Sequence, residues 1–261
     1  MTPIELSIKR KIESVGIPLK DWNIQINYGI KTGFNDAFII SSEKRNEILS
    51  NCATEEERSK TDEIIRAILR GRDIKRYGYN WADLWLINTH NGVKGRIPRI
   101  KIEDYPAIKA HLDKFWGKIK DRADQGDTPY NLRNCAYLEE FLKPKIVYRE
   151  IGFEMDACMV PEGWFVNNKL YLVTGDRIEY LLAFLNSKAC NKIILASANL
   201  TGGKGVDFME KVRVPLEQSL INEILSTQEE NKIDEIFNSF FGLSEEEKEF
   251  LLLDSKVGET Y

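Results

Sequence analysis

The chain has 261 residues, 43% of them hydrophobic and 30% charged, and a formal net charge of −4. That length holds one large domain or two small ones around a real core, and no apolar run reaches the ~20 residues of a membrane span. Four cysteines without a CxxC pair, and only two histidines, exclude the usual spacings of a structural zinc site and fit free thiols in a reducing cytoplasm.

The charge is unevenly placed. Residues 61–150 hold 18 Lys and Arg against 13 Asp and Glu, whereas residues 216–261 hold 3 against 12. The chain up to Pro215 is therefore net positive, and an acidic tail hides it. Local charge governs phosphate contact; the whole-chain balance does not.

The start reads as an amphipathic helix over Ile4–Ser14 rather than a signal peptide. A turn through Gly16 leads to Trp22–Tyr28, whose period-two alternation predicts a strand. Gly29–Ile40 reads as a glycine-punctuated loop into a second strand; it lacks the Gly-Lys-Ser/Thr ending of a Walker A loop. Ser42–Leu49 and Glu55–Leu69 are expected as helices, the second with Ile64, Ile65, Ile68 and Leu69 on one stripe and Gly71 as its C-cap. Its exit would present Arg70, Arg72, Lys75 and Arg76. Trp85–His90 reads as a strand that opens into the basic loop Asn91–Arg99, with His90 a structural residue.

Tyr105-Pro106 introduces an expected helix over Ala107–Ala123, with Leu112, Phe115, Trp116 and Ile119 as its core stripe. The run Thr128–Ile151 then interleaves Arg133, Lys143, Lys145 and Arg149 with Tyr130, Tyr137, Phe141 and Tyr148, and adds the amides Asn131 and Asn134. Cations neutralise phosphates, amides and Arg forks read base edges, and rings stack. Tyr130, Asn131 and Arg133 are expected on a loop, with Tyr137–Ile151 as the helix and strand that hold it. Two or three short strands are expected over residues 152–174, then a helix capped by Asp176 with Ile178, Leu181, Leu182 and Leu185 on one face. The basic loop Thr201–Gly205 and the closing Val212–Pro215 follow. Two or three acidic amphipathic helices finish the chain. Cys135 and Cys190 are expected as small core residues, and Glu139-Glu140 and Glu229-Glu230 as solvated helix surface.

Catalytic motifs are missing together. There is no GxGxxG or DxGxG loop, no Asn/Asp-Pro-Pro-Tyr/Phe run, no HExxH or GxSxG, and no Asp…Glu-x-Lys nuclease arrangement.

Several segments, in this order, resemble one family. They are Gly29–Phe38, Leu69–Tyr77, Tyr105–Ile108, Thr128–Arg133, Lys143–Ile146, Tyr180–Ser187, Lys211–Pro215 and Ile233–Glu247. Together they are similar to the TaqI-like C-terminal specificity domain of adenine-N6 DNA methyltransferases. That domain is also found in single-chain restriction–modification enzymes and in related phage-defence methyltransferases. In the family an N-terminal domain carries the S-adenosylmethionine loop and the catalytic motif, while the C-terminal domain reads the sequence and holds the duplex as the target adenine is flipped out. The resemblance thus implies the recognition half, as a fragment or a stand-alone subunit in a prokaryotic cytoplasm. It needs no cofactor of its own; S-adenosylmethionine belongs to the catalytic domain, in this chain's parent or in another chain.

The expected fold is α+β: a twisted, mostly antiparallel β target-recognition domain with inserted helices over 1–215, and an acidic helical region over 216–261. The expected partner is double-stranded DNA. Its candidate contacts are Lys31, Thr32, Asn35, Arg70, Arg72, Lys75, Arg76, Lys94, Arg96, Arg99, Asn131, Arg133 and Lys204. Arg72, Arg96 and Arg133 would be the guanine readers, because a guanidinium fork matches O6 and N7; the lysines would hold phosphates. Three alternatives stay open, a protein-interaction scaffold among them. One is half of a Type I specificity subunit, although the tail is interrupted at Gly242 and short for its long heptad helices. Another is a nuclease with an unrecognised site.

Overall fold

The computed structural model describes residues 1–152, 154–194, 196–198 and 203–253. Helix α1 (Pro3–Val15) begins with a capping box: the Thr2 hydroxyl accepts the Glu5 N–H, and the Glu5 carboxylate accepts the Thr2 N–H. It buries Ile8 and Ile12. Strand β1 (Ile17–Pro18) then pairs antiparallel with β12 (Arg213–Val214), bringing the two ends of the net-positive region together.

Two four-stranded sheets form the framework. The first has β2 (Ile24–Tyr28), β11 (Leu170–Gly175), β8 (Lys145–Arg149) and β9 (Cys158–Val160) in that order, all antiparallel. The second runs β10 (Phe165–Val166), β4 (Ile65–Leu69), β7 (Leu84–Ile87), β3 (Ile39–Ser41), antiparallel except for the β10–β4 pair. A hairpin of β5 (Ile74–Lys75) and β6 (Gly78–Tyr79) packs on the first sheet.

The first sheet is apolar on both faces. In β8 and β11, Ile146, Tyr148 and Val173 turn to a helical layer. Their neighbours Val147, Leu170 and Leu172 turn to the second sheet. Period-two alternation therefore sorts residues between two cores rather than between core and water. The helical layer contains α1, α7 (Ile178–Leu185) and the tail helices Gln218–Ser226, Glu230–Phe240 and Glu245–Leu252. Phe184 meets Phe237 edge-on at 5.5 Å, so the acidic tail is a wall of the same core. The second core adds α2 (Asn35–Phe38), α3 (Ser42–Ser50), α4 (Glu55–Ile64) and α5 (Pro106–Asp113). The result is the expected α+β architecture.

Four local expectations change. The helix expected over Glu55–Leu69 stops at Ile64, and Ile65–Leu69 is β4, because Ile65 pairs with Ile87 in the sheet. Gly71 therefore follows a strand and caps nothing. The helix expected over 107–123 breaks after α5 into a separate one-turn helix, α6 (Trp116–Ile119), and leaves Trp116 exposed rather than in the core. Asp176 does not cap α7; its carboxylate accepts from the Asn23 amide instead, and the cap position belongs to Arg177 in the left-handed region. Glu140 is buried, not solvated, and accepts bonds from Thr174 and Lys143. Among the described residues, no helix is long and apolar enough to cross a membrane.

Candidate nucleic-acid interface

The ends of β2, β4 and β10 lie side by side. Ile30 N–H donates to the Val166 carbonyl at 2.8 Å, and Asn167 N–H donates to the Leu69 carbonyl at 3.0 Å. Lys31, Arg70 and Arg72 therefore leave the framework from neighbouring points. An edge-on contact of Tyr28 with Tyr137, 5.6 Å between centroids, brings the segment after Arg133 to the same rim.

Arg122 holds the loops of this rim together. Its Nε donates to the Thr32 carbonyl at 3.0 Å, Nη1 to the carbonyls of Ile119 and Pro129, and Nη2 to the Asn131 carbonyl at 2.5 Å. The guanidinium lies 4.5 Å over the Phe38 ring. Burial pushes its pKa down to about 10, still far above neutrality. Asn131 extends the network: its amide donates to the Ile100 carbonyl at 2.8 Å, and the Thr128 hydroxyl donates to its Oδ1 at 2.7 Å. Three segments remote in sequence (29–35, 89–100 and 119–136) are thereby fixed to one another through backbone carbonyls.

The basic loop Asn91–Arg99 closes on itself through the Val93–Ile97 bridge. Gly92 has φ +74°, and a Cβ there would meet the Ile97 carbonyl oxygen at 2.4 Å, so only glycine fits. With the 127–136 segment it walls a cleft of about 820 Å³, lined by Asn91, Lys94, Arg96, Arg99, Asp127 and Asn134 among others. The Asn91 amide bonds both Asp127 and Asn134 across it.

The expected contact residues divide in this geometry. Lys31, Arg133, Lys94, Arg96 and Arg99 stand on the rim and its cleft. Lys31 pairs with Asp124 at 2.9 Å and Arg133 with the other oxygen of the same carboxylate at 3.2 Å. The Lys31 hydrogen bond, chiefly, holds the Asp124 carboxyl below the usual carboxylate range. Arg96 pairs with Glu139, and Arg99 with Asp127 at 3.0 Å. Arg72, Lys75 and Lys94 are exposed without a side-chain partner among the described residues. Asn35 is exposed and its Oδ1 accepts the Thr32 hydroxyl.

Other expected contacts are turned inward. Thr32 is 3% exposed, Asn131 1% and Lys204 2%. Thr32 and Asn131 are scaffold of the loops, their polar groups spent on neighbours. Lys204 donates to the Glu154 carbonyl at 2.8 Å, and burial pushes its pKa down to about 8. Thr201 and Gly202 of its loop lie outside the described residues. Arg70 folds back onto Asp73 in a bidentate pair. Arg76 docks the tail, donating to the Asn186 carbonyl at 2.8 Å and pairing with Glu230. Lys75, beside it on the β5–β6 hairpin, sits with β8 and β9 rather than on the three-loop rim.

Sequence reasoning missed Arg122, placed inside a helix that does not reach it, and the carboxylates Asp124, Asp127 and Glu139. Their signal is in the sequence: Asp124 and Asp127 immediately precede the run that carries Arg133. His90 is structural as expected, its Nδ1 accepting the Gly92 N–H at 3.1 Å.

A family model for the TaqI-like C-terminal specificity domain matches residues 66–211, more than half of the chain. Two solved structures share the fold. One is described as a Type IIL restriction-modification enzyme, MmeI, in complex with DNA. It is 14% identical with a TM-score of 0.55, over 90% of this chain and 35% of that one. The other is the type IIG restriction endonuclease BpuSI, 15% identical with a TM-score of 0.54, over 96% of this chain and 32% of that one. The chain thus spans about a third of the length of either. No curated protein matches its sequence.

Proposed function

The chain belongs to the TaqI-like C-terminal specificity domain family, and we propose that it reads a DNA sequence for a restriction–modification enzyme. The observation that carries this reading is the rim: Lys31, Arg133 and the Lys94–Arg99 loop are brought to one edge by a network whose bonds run to backbone, leaving their side chains outward. Lysines would hold phosphates; Arg72, Arg96 and Arg133 would turn to guanine edges in the major groove. The adenine-N6 methyltransferase domain, with its S-adenosylmethionine, would be supplied by the parent polypeptide or another chain, in a prokaryotic cytoplasm and in defence against phage.

The test is binding of the purified chain to duplex DNA across a salt series. Affinity should fall steeply with salt, and a selection from random duplexes should return a fixed motif. A flat salt response would sink the reading. Metal-dependent cleavage by this chain alone would move it to the nuclease alternative.

A further inference from the structure

Four of the rim's cations are already engaged, and each partner carboxylate comes from one stretch of chain. Asp124 holds Lys31 and Arg133 with its two oxygens, Asp127 holds Arg99, and Glu139 holds Arg96. All lie within residues 124–139, the segment that Arg122 and Asn131 tie to the rim. A carboxylate presents the same charge and fork-matching oxygen pair as a phosphate does to a guanidinium. We infer that Asp124, Asp127 and Glu139 act as internal phosphate mimics that determine specificity. They occupy Lys31, Arg96, Arg99 and Arg133 until base edges offered to Arg96 and Arg133 tip the exchange toward DNA.

This inference rests on the DNA-reading function proposed above and deepens it. On random DNA the exchange of a carboxylate for a phosphate gains little, so these pairs stay closed. Contact then falls to cations without partners, such as Arg72 and Lys94. On the cognate sequence, base-edge hydrogen bonds are added to the exchange, the pairs open, and Lys31, Arg96, Arg99 and Arg133 join the interface. The pairs are suited to opening. Arg96 with Glu139 and Arg99 with Asp127 are largely solvent-exposed, and such pairs are weak.

The experiment is a salt series on a short duplex of random sequence, with the whole chain and two triple variants. In D124N/D127N/E139Q the four cations are released. In E56Q/E229Q/E245Q the net charge changes equally, away from the rim. Each released cation that reaches a phosphate adds about 0.9 to the slope of log affinity against log salt. The first variant should therefore be steeper than the parent by about three to four, and the second nearly unchanged. Equal changes in the two variants would overturn the inference while leaving DNA binding intact. No salt-dependent binding by any of the three proteins would overturn the DNA reading and this inference with it. Should the first triple variant melt out, D127N alone releases Arg99 from an exposed partner. It should add about one to the slope; no change would overturn the inference.

Discussion

The Nη2 of Arg122 sits 2.5 Å from the backbone carbonyl oxygen of Asn131, the residue whose own amide reaches the carbonyl of Ile100. One buried guanidinium thereby couples the loop after Gly126 to the loop after Thr89.

Replacing Arg122 by Met should leave the Thr32 and Pro129 carbonyls without their donor, at about 1–3 kcal/mol each, while the Ile119 and Asn131 carbonyls keep a backbone N–H. Urea denaturation should show a large loss of stability, and R122K should recover only part of it, because an ammonium cannot span the same acceptors. A near-neutral R122M would mean that the loops are held by other contacts.

Arg72 and Lys94 should respond differently to alanine. Arg72→Ala should relax preference at one base position, costing about 1–3 kcal/mol there, whereas Lys94→Ala should weaken all sequences alike and flatten the salt slope by about 0.9. Binding selections on both variants separate these outcomes. An unchanged motif for Arg72→Ala would remove it from the readers.

Lys145 is fully buried, its Nζ donating to the Pro161 carbonyl at 2.9 Å, and burial pushes its pKa down to about 8. The unfolded chain keeps its lysine protonated to about pH 10.4. Between those values the unfolded state holds a proton that the folded state has lost, so stability should rise with pH. Lys204 adds to the same rise. K145M should be no less stable than the parent at pH 7 and should show a smaller rise in urea melts between pH 8 and pH 10. The same rise as the parent's would show that Lys145 keeps its proton when folded.

Phe237 is fully buried against Phe184 and Phe241. Phe237→Ala should cost about 3–5 kcal/mol and lower a single cooperative unfolding transition. A variant that lost only the tail helices, with the sheets still folded, would show that the tail is a separate unit.

Much of the framework was legible because its signals are local. The amphipathic start over Ile4–Ser14, the alternation of Trp22–Tyr28 and the α7 stripe each sit within a few residues. The failures were non-local. Ile64, Ile65, Ile68 and Leu69 satisfy helical spacing, and it is pairing with β7 and β10, farther along the chain, that selects strand from Ile65 onward. The rim was legible as residue types: lysines and arginines beside glycines. Its inner and outer members were not, since Asn131 and Arg133 look equally fit for contact until the Ile100 carbonyl claims one of them. Arg122 left no trace in the pattern, because its partners are carbonyls, which every residue has.

That indifference has a consequence for how such a protein can change. A clasp whose hydrogen bonds all run to the peptide chain does not register which side chains stand at 31, 94, 96 or 133. Those letters can be rewritten one at a time, each trial inheriting a loop already in place. New preferences could then arise by substitution alone, without first relearning how to fold.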